Sequence, residues 1–255
     1  MLQRLDLRTR ARAAGIHLLI SAAVAAIAAG LVFGAWFPGI YRQVAGGRDL
    51  FLLVTSVDVV LGPLLTFAVF NLKKGWPHLR RDLAVIGVIQ LAALVYGLMT
   101  VYGARPVAMV FESDRFRVIT VAQVEMDELP KARPEYQALP LTGPWLLGAR
   151  ATTRGDESNE ALFKALRGVD RAQRPLFWQP YADSTADALA RARPLSLLLA
   201  KYPALAGEVK ARLQELKVDE IGAKFLPLMG RGGNWVVILD SAGQLVHYVP
   251  VEGFF

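Results

Sequence analysis

Three long apolar runs dominate the first 103 residues of the chain. They cover residues 16–37, 50–70 and 82–103, and short charged segments separate them. A helix needs about 20 consecutive apolar residues to cross a bilayer core, and each run reaches that length. Three such runs in succession are typical of a membrane protein rather than of buried core helices. We therefore predict a membrane anchor of three transmembrane helices over residues 1–103.

The first run has the features of a retained span rather than of a cleaved signal peptide. It is 22 residues long, whereas the apolar region of a signal peptide has roughly 7–15 residues. It also ends in Trp36 and Phe37, and aromatic side chains favour the membrane–water interface. We expect this run to stay in the protein as its first span.

The distribution of basic residues predicts the orientation of the spans. Lys and Arg favour the cytoplasmic side of a bacterial membrane. The loop between the first two runs is poor in them, with only Arg42 and Arg48 beside Asp49. The other two flanks are rich in them: Arg4, Arg8, Arg10 and Arg12 against Asp6, then Lys73, Lys74, Arg80 and Arg81. We therefore expect a cytoplasmic N-terminus, a bacterial inner-membrane location, and a periplasmic position for residues 104–255.

Net charge and cysteine content exclude several classes of protein. The net charge is +6 over residues 1–103 and only +1 over residues 104–255. The basic excess thus accompanies the spans, where it suits contact with anionic membrane lipid, and it does not form the basic face of a nucleic-acid-binding domain. The chain has no cysteine, which excludes disulfides, thiolate catalysis and cysteine-ligated metals.

The second run contains a carboxylate and a helix breaker, Asp58 and Pro63. An acid at mid-span costs about 3 kcal/mol on translocon-based scales and usually faces the bundle interior. Pro63 removes one backbone hydrogen bond, and Gly62 leaves room beside it. At about 1.5 Å per residue, Gln90 of the third run lies at a similar depth. Three roles for Asp58 stay open: an internal hydrogen bond to Gln90, contact with a partner, and an ion or proton relay.

Small residues recur every four positions along the first run. They place four small side chains on one helix face: Ala22, Ala26, Gly30 and Gly34. Such a face allows another helix to approach closely. The approaching helix could be one of this protein's own spans or a helix of a partner.

Residues 104–255 read as a periplasmic α+β domain. Alternating and β-branched segments predict strands over residues 105–111, 116–121, 234–240 and 244–249. The last two flank a three-residue loop with Gly243 in the left-handed position, so the domain ends in a β-hairpin. Amphipathic patterns predict helices over residues 157–169, 183–193 and 207–217. The first of these helices collects apolar residues on one face: Ala161, Leu162, Ala165, Leu166 and Val169.

No pattern in this domain indicates catalysis, a metal or a cofactor. His247 lies in the last predicted strand, and Asp240 and Ser241 lie across a hairpin from it, without the geometry of a triad. The predicted turn "ESDR" brings Asp114 and Arg115 together with Glu112, as a solvated ion-pair cluster or, less simply, as an acid–base pair. We therefore expect a protein that is not an enzyme.

The order of these motifs resembles the TfpX/TfpZ family of type IV pilin accessory proteins. The similarity rests on "IHLLIS", "VDVVLGPLLT", "DLAVIGVIQLAALVYG" and "ARPVAMVFESDRFRVI", which together extend over residues 16–121. It implies a non-enzymatic inner-membrane protein that holds or presents pilin subunits before assembly. Nine positions match the family pattern: Asp58, Gly62, Pro63, Gln90, Arg105, Pro106, Asp114, Arg115 and Phe116.

The resemblance suggests how a pilin could be engaged. A pilin before assembly has one long apolar helix and a periplasmic head, so the Gly30 face or the Asp58 site would contact the helix. The periplasmic domain, with Arg105, Asp114 and Arg115 as candidate surface residues, would contact the head. The alternative hypothesis is a membrane-anchored periplasmic sensor or ligand-binding module, which predicts an apolar pocket in residues 104–255.

Overall fold

The computed structural model describes residues 7–71, 75–153 and 155–255. Four of the charged residues used to predict orientation, Arg4, Asp6, Lys73 and Lys74, lie outside this range. The chain forms two compact units. The helical unit contains the chain up to Trp36 together with Gly47–Gly103, and the sheet unit contains Phe37–Gly46 together with Ala104–Phe255.

Three long apolar helices form the helical unit, as the sequence predicted. In chain order the first four helices are α1 (Leu7–Leu31), which continues as a π-helical turn over Val32–Trp36, α2 (Tyr41–Val44), α3 (Gly47–Val69) and α4 (Trp76–Gly103). The helices α1, α3 and α4 are each long enough and apolar enough to cross a membrane. Each begins before its apolar run, because hydropathy marks the apolar part of a helix and not its full length.

Helix α3 is the centre of the helical unit and packs against both α1 and α4. Two glycines permit the close approach of α3 and α4. A methyl group on Gly97 would overlap the side chain of Val54, and one on Gly62 would overlap the amide of Gln90. The helix continues through Pro63 to Val69, so the proline lies within α3 and does not end it.

The sheet unit is built on one mixed sheet of eight strands. The strands are β1 (Pro106–Glu112), β2 (Arg115–Thr120), β3 (Trp145–Ala149), β4 (Trp178–Pro180), β5 (Arg193–Pro194), β6 (Lys224–Gly230), β7 (Gly233–Leu239) and β8 (Leu245–Val249). Their order is β4-β3-β1-β2-β6-β7-β8, with β5 paired to one end of β6. The β1–β3 and β2–β6 pairs are parallel, and the others are antiparallel.

The four remaining helices surround this sheet. They are α5 (Gly155–Leu166), α6 (Thr185–Arg191), α7 (Leu195–Lys201) and α8 (Ala206–Glu215). The predicted terminal hairpin is confirmed as β7 and β8, and Gly243 has the expected positive φ of 79°. The structure adds β3, β4, β5, β6 and α7, which the sequence did not predict. Pro227 obscured β6, since a proline within an apolar run argues against a strand.

The segment between the first two long helices belongs to the sheet unit. The predicted boundary at residue 103 places this segment with the spans, whereas in the structure it belongs to the sheet unit. The carbonyl of Val44 accepts a hydrogen bond from the N–H of Gly232 at 2.8 Å. Methyl groups on Gly230 and Gly232 would overlap the backbone of residues 43–44. We call residues 37–46 the inserted segment.

Residues 175–181, "PLFWQPY", form an aromatic cluster that is part of the sheet-unit core. Phe177, Trp178 and Tyr181 are all buried, so they do not form an exposed partner-binding surface. The indole N–H of Trp178 donates to the carbonyl of Ala172 at 2.8 Å, which satisfies the buried donor. A second core cluster lies between β6, β7 and the helices α7 and α8.

Candidate functional site

A cleft of about 250 Å³ opens between the three long helices of the helical unit. Leucine, isoleucine, valine, alanine and glycine form most of its wall. Its polar side chains come from all three helices: His17, Ser21, Thr55, Asp58 and Gln90. A cleft with an apolar wall and a few polar groups is the usual form of a binding site.

Asp58 and Gln90 meet in this cleft, as their predicted depths indicated. The acceptor, however, is not the carboxylate. The side-chain amide of Gln90 donates to the backbone carbonyl of Asp58 at 3.2 Å. Within the described ranges, the Asp58 carboxyl group makes no hydrogen bond or ion pair. The predicted residue pair therefore forms, but through the backbone carbonyl of Asp58 and not through its side chain. The Asp58 carboxyl group lies on the wall of the cleft.

Local helix geometry explains this arrangement. Gly62 lies one turn after Asp58 and presents no side chain, so the amide of Gln90 packs directly against its backbone. From that position Gln90 reaches the carbonyl one turn earlier. The absence of a side chain at Gly62 thus leaves room for the Gln90 amide beside α3. The Asp58 carboxyl group does not take part in this contact and lines the cleft.

Polar contacts between α1 and α3 were not anticipated from the sequence. The ring Nδ1 of His17 lies 2.5 Å from the hydroxyl oxygen of Thr66. The Arg10 guanidinium donates to the carbonyl of Ala68 at 3.0 Å, in the last turn of α3, where helix carbonyls lack partners. These residues sit 49 and 58 positions apart in the chain, so no local pattern predicts that they meet.

The small-residue face of α1 does not pack against the protein's own helices. All four of its members are exposed: Ala22, Ala26, Gly30 and Gly34. A methyl group added to either glycine would meet no atom within 4 Å. The interpretation of this face as internal packing is therefore wrong, and the face is open to an outside helix.

The candidate surface residues of the sheet unit divide into two groups. Arg105 is only 2% exposed, and its guanidinium donates to the carbonyl of Pro140 at 3.1 Å. It is a buried residue, which corrects its assignment to the surface. Asp114 and Arg115 do form the expected ion pair at the β1–β2 turn, 2.7 Å apart, and both are partly exposed. Glu112 turns away from them toward Arg171.

The histidine of the sheet unit, His247, lies beside Glu208, and Asp240 is engaged in its own turn. The Asp240 carboxylate accepts hydrogen bonds from the N–H groups of Ala242 and Gln244, so it stabilises its own turn. Burial lowers the pKa of His247, despite Glu208 at 3.8 Å. Among residues 7–71, 75–153 and 155–255, no group of three or more side chains is arranged to hold a metal ion.

The sheet unit also carries a cavity of about 470 Å³ at the β1–β2 turn. Charged side chains dominate its lining, among them Arg115, Arg171, Asp187 and Arg191. A sensor of an apolar ligand would need a different kind of pocket. This cavity therefore gives the ligand-binding alternative no specific support.

Comparison with known proteins identifies the family. The family described as "Fimbrial assembly protein FimB" matches residues 5–46. The chain is 39% identical over 246 residues to the fimbrial assembly protein of serogroup I from Dichelobacter nodosus, and 38% identical over 246 residues to that of serogroup E1. Each alignment covers 96% of this chain and 96% of the relative.

A shorter relative matches part of the chain. The Dichelobacter nodosus fimbrial assembly protein of serogroups C1 and C2 is 44% identical over 122 residues, which cover 48% of this chain and 93% of that relative. No solved structure matches significantly. The identity to the two longer relatives extends through both units, and the chain belongs to the fimbrial assembly protein family.

Proposed function

We propose that this protein is an inner-membrane accessory protein of type IV pilus biogenesis, of the TfpX/TfpZ kind. It binds or stabilises pilin subunits before they are assembled and thereby modulates piliation. It acts by binding and not by catalysis. In this arrangement the N-terminus is cytoplasmic, α1, α3 and α4 cross the membrane, and the sheet unit is periplasmic.

The observation that carries this proposal is the carboxyl group of Asp58 on the wall of the cleft. A carboxyl group in a bilayer is costly unless it is paired or hydrogen-bonded. Its nearest polar neighbour in α4, Gln90, is already committed to a backbone carbonyl. A hydrogen-bond donor on an incoming helix would stabilise the Asp58 carboxyl group, and a client helix is the partner that can bring such a donor to this depth.

The exposed small-residue face of α1 gives a client helix a second surface for close packing, on the side of α1 that faces away from the cleft. Without a hydrophobic driving force inside lipid, helices associate through van der Waals contact at small residues and through polar bonds. Gly30 and Gly34 offer the first kind of contact, and Asp58 offers the second. A pilin brings a single apolar helix, which suits close packing at either surface.

Recovery of pilin with the purified protein tests the Asp58 contact. The full chain is isolated in mild detergent from cells that express the pilin, and bound pilin is quantified. We expect Asp58→Ala to reduce the recovered pilin by about tenfold, equivalent to about 1.4 kcal/mol, because a buried polar contact is lost. Asp58→Asn keeps a hydrogen-bonding group and is expected to retain more pilin than the alanine variant.

Ser56→Ala is the matched control. Ser56 lies on α3 two residues before Asp58, is exposed, and bonds only to the carbonyl of Leu53 within its own helix. It is expected to recover pilin at the wild-type level. Equal recovery by the Asp58→Ala variant and the wild type would show that the cleft does not hold the client.

A further inference from the structure

Helix α5 is packed with its charged side toward the protein and its apolar side toward solvent. Three apolar residues project outward: Leu162, Phe163 and Leu166 are 59%, 65% and 76% exposed. None of the residues of α5 is buried. The inward residues, Glu157, Ala161 and Lys164, recur at the helical spacing of one face. Of the apolar face that the sequence pattern predicted, Leu162 and Leu166 point outward, whereas Ala161 lies on the inward side, and Phe163 was not part of the prediction.

Ion pairs between α5 and the rest of the sheet unit hold the helix in this orientation. The ammonium of Lys164 lies 2.7 Å from the Glu128 carboxylate. The guanidinium of Arg174, which is only 1% exposed, lies 2.9 Å from the Glu160 carboxylate. These contacts reach into the interior of the unit, and they would all be lost if α5 rotated to bury its leucines.

A third pair secures the beginning of the helix. The Arg150 guanidinium makes two hydrogen bonds to Glu157, at 2.7 and 3.1 Å. Together with bonds from Thr153, these hold the pKa of the Glu157 carboxyl at about 2. The inward charges of α5, on Glu157 and Lys164, are therefore paired at neutral pH, and the apolar face is the side left available. Apolar clusters of this kind on a surface mark interaction sites.

The charges around the apolar face select the kind of partner. The apolar face is bordered by the exposed side chains of Asp156, Glu160 and Arg167, two acids against one base. Helices that lie on a membrane carry Lys and Arg on their polar face, so α5 has the wrong sign for an anionic lipid surface. A second copy of the chain would set another border of net negative charge against the first. A protein surface with an apolar centre and a basic rim fits both features.

We propose that the exposed face of α5, formed by Leu162, Phe163 and Leu166, is a docking surface for the extra-membrane head of the pilin, through an apolar patch bordered by Lys or Arg. This inference rests on the proposed function and adds a second contact to it. The Asp58 cleft engages the client helix, and α5 engages the client head. The client is then held at two points of different chemistry, one inside the membrane and one outside.

Site-specific photo-crosslinking in cells that express the pilin tests this docking surface. The photoreactive residue p-benzoylphenylalanine replaces Phe163 or Leu166 in the full chain. The matched control position is Ile221, an apolar residue of the same unit that is 95% exposed. A further position, Leu91, lines the cleft and reports on the helix contact. We expect pilin adducts from positions 163, 166 and 91, and an adduct yield about tenfold lower from position 221.

Mass spectrometry of the adducts completes the test. Adducts at 163 and 166 that map to the pilin head, beside basic residues, support the proposal. Adducts that join two copies of this chain, adducts to lipid, or equal yields from positions 163 and 221 overturn it. An adduct from position 91 without any from 163 or 166 overturns the α5 surface and leaves the proposed function intact. The absence of pilin adducts from every position contradicts both.

Substitutions give a second readout that does not depend on the crosslinker. Phe163→Asp is expected to reduce pilin recovery by about tenfold with no change in the melting temperature, because the side chain is exposed in the free protein. Ile221→Asp should change neither quantity. A Phe163→Asp variant that binds pilin as the wild type does would overturn the proposal.

Discussion

Replacing Glu128 with alanine is expected to lower the free energy of unfolding of the sheet unit by about 3–5 kcal/mol, the usual cost of removing one partner of a buried ion pair. Glu128 and Arg174 are both almost fully buried, 2.7 Å apart. The variant would leave the guanidinium of Arg174 inside the protein without its main counter-charge. Thermal or denaturant unfolding of the full chain in detergent measures the change.

Glu160→Ala is the matched control for this prediction. Glu160 contacts the same guanidinium, but its side chain is 56% exposed. Its removal is expected to cost about 1 kcal/mol or less, as is usual for solvated ion pairs. Equal losses from the two variants would contradict the view that burial of the Glu128–Arg174 pair dominates.

The same pair predicts a dependence of stability on pH. Burial alone would raise the pKa of Glu128, but hydrogen bonds from Arg174 and Lys164 outweigh it and lower the pKa below 4.5. A carboxyl group with a lowered folded-state pKa contributes stability above its unfolded pKa, and that stability is lost as the pH falls through the folded value. The stability difference between wild type and Glu128→Gln is therefore expected to narrow below pH 4.5. A constant difference from pH 7 to pH 3 would contradict this.

Gly232→Val is expected to destabilise the sheet unit by about 3 kcal/mol or more, at the upper end of the range for overpacking. A side chain at Gly232 would overlap the carbonyl oxygen of Gln43 in the inserted segment. Backbone cannot move aside as a flexible side chain can. The shift would also break the hydrogen bond from the N–H of Gly232 to Val44, which costs about 1 kcal/mol more. Unfolding of the full chain measures the effect.

Gly207→Ala serves as the control for this substitution. Gly207 lies in α8, and a methyl group there meets no atom within 4 Å. Because alanine favours a helix over glycine by roughly 1 kcal/mol, this variant is expected to be as stable as the wild type or more so. Wild-type stability of Gly232→Val would show that the inserted segment does not pack against the β6–β7 turn as described.

The sequence predicted best those features that depend on local patterns. Apolar run length predicted α1, α3 and α4, and the turn chemistry around Gly243 predicted the final hairpin. The contact of Gln90 with Asp58 followed from helix rise alone, because both residues lie on regular helices. Only the identity of the accepting atom was missed, since a depth estimate does not tell where a side chain points.

Features that depend on distant residues could not be predicted from the sequence. The inserted segment reads as an ordinary loop, and its place beside Gly230 and Gly232 depends on a contact across nearly 190 positions. Arg105 carries a charge, which suggests exposure, but the fold around it buries its side chain. The orientation of α5 was also hidden, because amphipathic periodicity assumes that apolar faces turn inward. Here buried charges on Glu128 and Arg174 decide the orientation.

Both units present surfaces that no other part of the described chain covers. The helical unit supplies an open cleft with the Asp58 carboxyl group and an exposed small-residue face, while the sheet unit presents an unsatisfied apolar helix face. Each feature lacks a partner among the described residues, and in the proposed function each contacts one part of a pilin. Membership in the fimbrial assembly protein family places both in the context of pilus assembly.

The most direct test of the central claim is surface piliation and total pilin in a strain that lacks this gene, complemented with the wild type, Asp58→Ala or Ser56→Ala. The account predicts that surface pili fall in the deletion strain, that the wild type and Ser56→Ala restore them, and that Asp58→Ala restores them poorly. Unchanged surface pili and unchanged pilin in the deletion strain would contradict it.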